Sequence, residues 1–254
     1  AWTLYQQGLI AYHATTEDGI EKAIELFDQA TEADPDFALA FAFAADARLR
    51  KMFHYFGVQD QLLDEAAEKS RAAVALDNRD SNCLLISARV HSLLGFHETA
   101  IAYARDAVSL NPSSPMCRYA LGFVLERTGN NGEALAHIES AVRLGPRDIF
   151  LPGYLQAGVL IYFGAGRYGE ALEWSRRASS SPNPRATTYH FTVAALMKMG
   201  RRAEASSALS NLLANAKRYK TLDSFSEVLQ RVWPAAVQRN KELVDALREA
   251  GLPE

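Results

Sequence analysis

The side chains most able to do chemistry in this sequence stand in no catalytic or metal-binding pattern. A zinc site on a helix needs two histidines four residues apart, and no second histidine follows His97-Glu98 at that spacing. The sequence has no Gly-x-Ser-x-Gly nucleophile turn and no Walker-type phosphate loop. We therefore predict no enzyme activity, no metal and no cofactor. All six histidines are expected on helix surfaces and turns: His13, His54, His91, His97, His137 and His190.

The two cysteines, Cys83 and Cys117, are thirty-four residues apart. In a repeat of that length they occupy equivalent points on neighbouring helices. Helix axes pack about 8–10 Å apart, whereas a disulfide needs Cα atoms within roughly 7 Å. The spacing therefore predicts two small buried thiols rather than a disulfide.

The elements that position these residues are indicated by a thirty-four-residue repeat. The repeat is carried by five residues that recur after thirty-four positions: Gly95, Ala100, Ala107, Leu110 and Pro112 become Gly129, Ala134, Ala141, Leu144 and Pro146. A fixed period of this length is typical of stacked helix–turn–helix units. The register continues in both directions and predicts six repeats over residues 1–215. Nine residues are inserted in the second repeat and three before the fifth.

Each recurring residue type has a mechanical reason. Small residues such as Ala88 and Ala100 let the two helices of a repeat approach closely. Glycines, such as Gly95, supply the positive φ that ends the first helix. Asn111-Pro112 is typical of the end of a second helix, because the residue before proline disfavours helical geometry.

These residues resemble the tetratricopeptide repeat (TPR) signature. The resemblance implies an all-α solenoid, a right-handed superhelix of helix–turn–helix repeats. It also implies a concave face on which ligands contact the second, fifth, ninth and twelfth residues of a repeat, along the first helices. The residues we select there as partner-binding are Tyr5, Tyr12, Leu85, Arg89, Met116, Tyr119, Phe123, Glu126, Leu160 and Phe163.

This predicted concave face has a hydrophobic and aromatic centre, and such side chains are enriched where protein partners dock. Arg89 and Glu126 are expected to fix the register of a ligand. The face lacks the Lys/Asn set with which chaperone-binding TPRs hold a C-terminal carboxylate, so an apolar segment or helix is the preferred ligand. The alternative is that several of these side chains pack between neighbouring first helices.

The insertion in the second repeat carries four large apolar side chains within residues 51–57: Met52, Phe53, Tyr55 and Phe56. If they are exposed, they form a patch of the kind that marks an interface. If the lengthened helix covers the first repeat, they are ordinary core.

The last stretch, residues 216–254, departs from the period. It predicts helices over residues 216–232 and 235–250, separated by Trp233-Pro234. A repeat array needs a terminal cap with a polar outer face. Six charged residues are expected to supply that face: Arg239, Lys241, Glu242, Asp245, Arg248 and Glu249.

Four segments of the sequence carry a narrower resemblance: residues 32–40, 143–148, 166–174 and 247–254. They resemble the C-terminal TPR region of bacterial class III adenylate/guanylate cyclases and related winged-helix transcriptional regulators. The resemblance implies the regulatory part of a signalling protein whose output domain precedes the repeats, and a homodimer, since class III cyclase domains work in pairs. Because the chain begins with Ala1 rather than Met, we expect it to be part of a longer protein.

Charge and hydropathy restrict the partners. A formal net charge of −3 gives no reason to expect binding to nucleic acid, and no apolar run reaches transmembrane length. The sequence thus favours a protein or peptide partner in the cytoplasm, or in the periplasm if a membrane helix precedes this stretch. Two alternatives remain open: a free-standing scaffold protein, and a sensor that binds a small ligand on the concave face.

Overall fold

A computed structural model describes residues 1–14, 16–53, 59–181, 186–215, 219–233 and 236–254. These described residues form fourteen helices and no strand, which confirms the predicted all-α class. The helices are α1 (Trp2–His13), α2 (Glu17–Ala33), α3 (Ala38–Lys51), α4 (Asp60–Leu76), α5 (Ser81–Leu93), α6 (His97–Leu110), α7 (Pro115–Arg127), α8 (Asn131–Leu144), α9 (Leu151–Gly164), α10 (Tyr168–Ser179), α11 (Ala186–Lys198), α12 (Arg202–Asn215), α13 (Leu222–Val232) and α14 (Val237–Ala250).

The turns inside the repeats follow from glycine. Gly95, Gly129, Gly166 and Gly200 have φ values of 86°, 81°, 72° and 73°, a region that residues with a Cβ rarely adopt. Each stands between the two helices of a pair, where the chain must reverse. The turn positions predicted from the spacing are confirmed.

The ends of three second helices follow from proline. Helices α2, α6 and α8 stop immediately before Asp34, Asn111 and Gly145, and each of these residues precedes a proline. All three have non-helical backbone angles, with φ between −151° and −118°. Steric conflict with the proline ring excludes the helical region for the preceding residue, so the helix ends there.

The chain divides into two compact units, residues 1–124 and 125–254. In the first unit, each helix from α1 to α6 packs on the next one along the chain, and α3 also packs on α5. This is the arrangement of stacked helical hairpins. The small residues Ala45, Ala66, Ala88 and Ala100 are fully buried between the helices, as the repeat pattern predicts.

The second unit has the same order of packing from α8 to α12, and α9 also packs on α11. One close approach depends on a glycine: a Cβ built on Gly158 of α9 would lie 2.3 Å from Cε3 of Trp174 on α10. The indole of Trp174 therefore rests directly on the α9 backbone.

The aperiodic tail forms two helices, with later starts than predicted. Helix α13 begins at Leu222 rather than at residue 216, because Thr221 caps it: the Thr221 hydroxyl accepts from the Ser224 amide, 3.3 Å away. Helix α14 begins at Val237 rather than at residue 235. It packs on α11, α12 and α13. The role of residues 216–254 as a cap stays a prediction.

Cys83 and Cys117 are buried free thiols, as their spacing predicts. Burial raises the pKa of the Cys83 thiol to about 12 and also raises the pKa of Cys117. Both thiols therefore behave as small apolar side chains at neutral pH.

Candidate interaction surface

The ten residues predicted to bind a partner all lie on first helices, and the structure places most of them in the interior. Nine are buried, and Met116 is half-buried. The exposed fraction of these nine residues ranges from 1% at Phe163 to 9% at Glu126. These side chains contact other parts of the chain, so a partner reaches them only after the segments that cover them move away. Their role in partner binding remains a prediction.

In the first unit, three of the first helices are joined by buried polar contacts. The Tyr12 hydroxyl donates to one carboxylate oxygen of Asp46, and the Arg89 guanidinium donates to the other. The Arg89 and Asp46 side chains are only 6% and 4% exposed. Burying an ion pair costs desolvation, and two partners on one carboxylate offset that cost. Helices α1, α3 and α5 are thereby held in one register.

Aromatic rings extend this chain of contacts. The Arg89 guanidinium lies 5.7 Å from the Tyr119 ring centroid, and the Arg50 guanidinium lies 4.5 Å from that of Tyr12. Arg50 also donates to the Tyr12 carbonyl oxygen, 2.9 Å away. Burial, and secondarily the Asp46 carboxylate, raise the pKa of Tyr12 well above its ordinary value. The hydroxyl therefore stays protonated and available as a donor.

Sequence reasoning selected Tyr12, Arg89 and Tyr119 but missed the pairing that connects them. Asp46 follows Tyr12 by thirty-four residues and precedes Arg89 by forty-three, so the repeat register together with opposite charge indicates that pair. Nothing comparable in the sequence indicates Arg50, because its contact is with a backbone carbonyl of α1.

The insertion after α3 is described as far as Phe53, and this part packs against first helices of the first unit. Met52 is 1% exposed, and the Phe53 ring lies 6.0 Å from that of Phe123 in an edge-on arrangement. Met52 therefore belongs to the packed interior of the first unit, and Phe53 is half-buried against Phe123. Tyr55 and Phe56 lie outside the described residues, and their part in an interface stays a prediction.

In the second unit, Glu126 near the end of α7 is bound by the tail. Trp233 donates through Nε1 to one carboxylate oxygen, 3.1 Å away, and Arg239 donates to the other. Next to it, Arg127 donates to the Val232 carbonyl. Burial lowers the pKa of Arg127. Both oxygens of the buried Glu126 carboxylate are thus bonded by atoms that follow it by more than one hundred residues.

The position of Arg239 corrects one expectation. The sequence places Arg239 with five other charged residues on a polar outer face, but its side chain is 9% exposed and faces Glu126. Lys241, Asp245, Arg248 and Glu249 are exposed as expected, and Glu242 is half-buried. The helix repeat of α14 puts Arg239 on the side of the buried Leu243 and Ala246.

The remaining predicted residues, Leu160 and Phe163, lie on α9. The Phe163 ring contacts the Phe191 ring of α11 edge-on at 5.6 Å, and Leu160 is 4% exposed. They pack between neighbouring first helices, which is the alternative that the sequence left open for this kind of position.

No group of three or more His, Cys, Asp or Glu side chains in the described residues is arranged to hold a metal ion. None of the helices in the described part combines the length and hydropathy of a membrane span.

Comparison with known proteins identifies the fold. Residues 88–149 match the family model described as tetratricopeptide repeat. The fold is a TPR solenoid. The TPR match covers two helix pairs with their shared thirty-four-residue spacing, from within α5 to beyond α8. No curated protein sequence matches the chain.

Several solved structures are similar to this chain. A chain of the APC/C hetero-tetramer Cut9-Hcn1 aligns with 91% of this chain at 16% identity and a TM-score of 0.66, and this chain spans 40% of its length. PilW, a type IV pilus biogenesis factor, aligns with 85% at 16% identity, with 94% of its own length covered and a TM-score of 0.63. Pseudomonas aeruginosa pilF aligns over 96% of both chains at 17% identity and a TM-score of 0.58. At these identities the likeness shows the fold alone.

Proposed function

We propose that this chain is a non-catalytic protein-interaction module and the regulatory part of a bacterial signalling protein. The observation that supports it is the bound state of first helices in the second unit: α11 and the end of α7, at Glu126 and Arg127, already contact an amphipathic helical segment, the chain's own tail. TPR-type folds are consistent with protein–protein interaction scaffolds. The link to cyclases or winged-helix regulators rests on the sequence resemblance.

The proposed ligand is an apolar helical segment, from another protein or from a second protomer. Its apolar side chains would replace those that now cover the first helices, and Glu126 or Arg89 would set its register through charge-assisted hydrogen bonds. Binding would stabilise one arrangement of the helices, and this shift in population would change the activity of an output domain.

A photo-crosslinking experiment tests this function. A photoreactive residue replaces Met116, which is half-buried on the first helix α7, or Arg105, which is exposed on the second helix α6. We expect a covalent adduct with one distinct protein, or with a second copy, from position 116 only. Equal adducts from both positions, or none from either while a metabolite raises the melting temperature, would contradict an interaction module and favour a small-ligand sensor.

A further inference from the structure

The tail forms a small unit that is closed by its own contacts. We call residues 219–233 and 236–254, with helices α13 and α14, the C-terminal hairpin. The Leu222 amide donates to the Pro253 carbonyl, 2.7 Å away, which ties the chain end to the start of α13. At the other end, the Asn240 side chain donates to the Trp233 carbonyl at 2.9 Å. These contacts join α13 and α14 to each other at both ends of the hairpin.

The hairpin has the pattern of a groove-bound amphipathic helix. Its α13 stripe consists of Leu222, Phe225, Leu229 and Val232, which recur at helical spacing and are at most 2% exposed. Helix-in-groove ligands are recognised through apolar side chains at this spacing. The other side of α13 is polar and carries Asp223 and Glu227.

Within the second unit, the hairpin contacts α11, α9 and the last residues of α7 (125–127), which belong to the first helices of three successive repeats. On α11, the His190 ring stacks on the Phe225 ring with centroids 4.0 Å apart, and His190 Nε2 donates to the Tyr219 carbonyl at 2.6 Å. On α9, the Arg239 side chain lies against Gly164, where an added Cβ would come within 3.1 Å of Arg239 Cδ. On α7, Trp233 and Arg239 of the hairpin donate hydrogen bonds to Glu126. A partner that used the same residues would compete with the hairpin.

The contact with Glu126 is specific but incomplete. The Glu126 carboxylate is bonded at both oxygens, by the Trp233 indole and the Arg239 guanidinium. On the other side of the pair, Nε and Nη2 of Arg239 are buried with no acceptor among the described residues. Buried donors without acceptors cost free energy, so this ion pair holds the hairpin less firmly than a fully bonded one. The contact is therefore selective for an indole and a guanidinium, and it is weak enough for the hairpin to be displaced.

We propose that the C-terminal hairpin is an intramolecular ligand of the face that α9, α11 and the last residues of α7 (125–127) form within the second unit. It blocks that face until an amphipathic helical segment, presenting an indole N–H and a guanidinium to Glu126, displaces it. This inference rests on the proposed function, because it states how the interaction surface is regulated and what chemistry the displacing partner carries.

The test offers the hairpin in trans to the full chain. The probe is a fluorescent synthetic peptide of residues 219–254, and binding is followed by anisotropy. The host chains are wild type, Arg239→Gln, which weakens the hairpin's own hold but leaves Glu126 intact, and Arg248→Gln, a matched control at an exposed site on α14. We expect the Arg239→Gln chain to bind the peptide at least about ten-fold more tightly than the other two.

A double variant shows whether Glu126 is the receptor: adding Glu126→Gln to Arg239→Gln should abolish the gain. Equal peptide binding by all three host chains, or an undiminished gain in the double variant, would overturn the proposal. So would a loss of the helical circular-dichroism signal in Arg239→Gln, because the hairpin would then be an integral part of the core. Since only this chain is used, the outcome is independent of whether the crosslinking experiment finds a partner.

Discussion

At the scale of single residues, the first helices are organised by two buried carboxylates, Asp46 and Glu126, each bonded at both oxygens. In each case an arginine supplies one hydrogen bond, and an aromatic side chain, Tyr12 or Trp233, supplies the other. A buried carboxylate that loses one such donor keeps its desolvation cost without the compensating bond. Substitution of the aromatic donor therefore measures how much each site depends on it.

For the Asp46 site we predict that Tyr12→Phe lowers the free energy of unfolding by about 1–3 kcal/mol, because one Asp46 oxygen loses its only described donor from α1. Urea denaturation measures the change. Tyr103→Phe is the control, since its ring contact with His91 does not need the hydroxyl. Equal effects of the two substitutions would show that the Tyr12 hydroxyl bond adds nothing to stability.

The Tyr12 hydroxyl should also make the free energy of unfolding depend on pH in the alkaline range. The pKa of Tyr12 is raised in the folded chain, so the neutral hydroxyl contributes stability that is fully present below the unfolded value of 10. Above pH 10 the unfolded state loses this proton first, and the contribution falls until the folded pKa is passed. We expect the stability difference between wild type and Tyr12→Phe to shrink between pH 10 and 11.5. A difference that stays constant over that interval would be inconsistent with the raised pKa.

At the scale of helices, much of the structure could be predicted from the sequence. Positive φ at Gly95 and its equivalents, and the helix ends before Pro35, Pro112 and Pro146, follow from backbone geometry alone. These signals are local, and the thirty-four-residue spacing repeats them. Position 158 could not be predicted in this way, because glycine is needed there to make room for Trp174 on another helix.

We predict that Gly158→Ala lowers the free energy of unfolding by about 1–3 kcal/mol, because the new methyl group forces α9 and α10 apart at Trp174. The matched control is Gly169→Ala, where an added Cβ meets no atom within 4 Å. That substitution lies inside α10 and is expected to be neutral or stabilising by up to about 1 kcal/mol. Thermal unfolding of both variants measures the difference. If Gly158→Ala is as stable as Gly169→Ala, the contact of Gly158 with Trp174 does not determine how closely α9 and α10 pack.

At the scale of the whole molecule, the breaks in the period could be located from the sequence, but their contacts could not. The tail lacks the repeat register, so nothing in the sequence indicates that Arg239 faces Glu126, 113 residues earlier. The insertion poses the same difficulty, since the contact of Phe53 with Phe123 connects positions in different repeats. In both segments the described side chains pack on residues that the repeat pattern assigns to partner binding.

The central claim is that the C-terminal hairpin is a displaceable ligand of the first helices rather than a further layer of the array. Hydrogen exchange followed by mass spectrometry tests it on the intact chain. We predict that the amides of α13 and α14 exchange together, through an opening that needs less free energy than the opening of α9 and α11. In Glu126→Gln, exchange in the hairpin should accelerate about ten-fold while α9 and α11 are unchanged; Glu173→Gln, at an exposed site on α10, should have no effect. Exchange of the hairpin at the same rate as α9 and α11, in wild type and in Glu126→Gln alike, would contradict the claim.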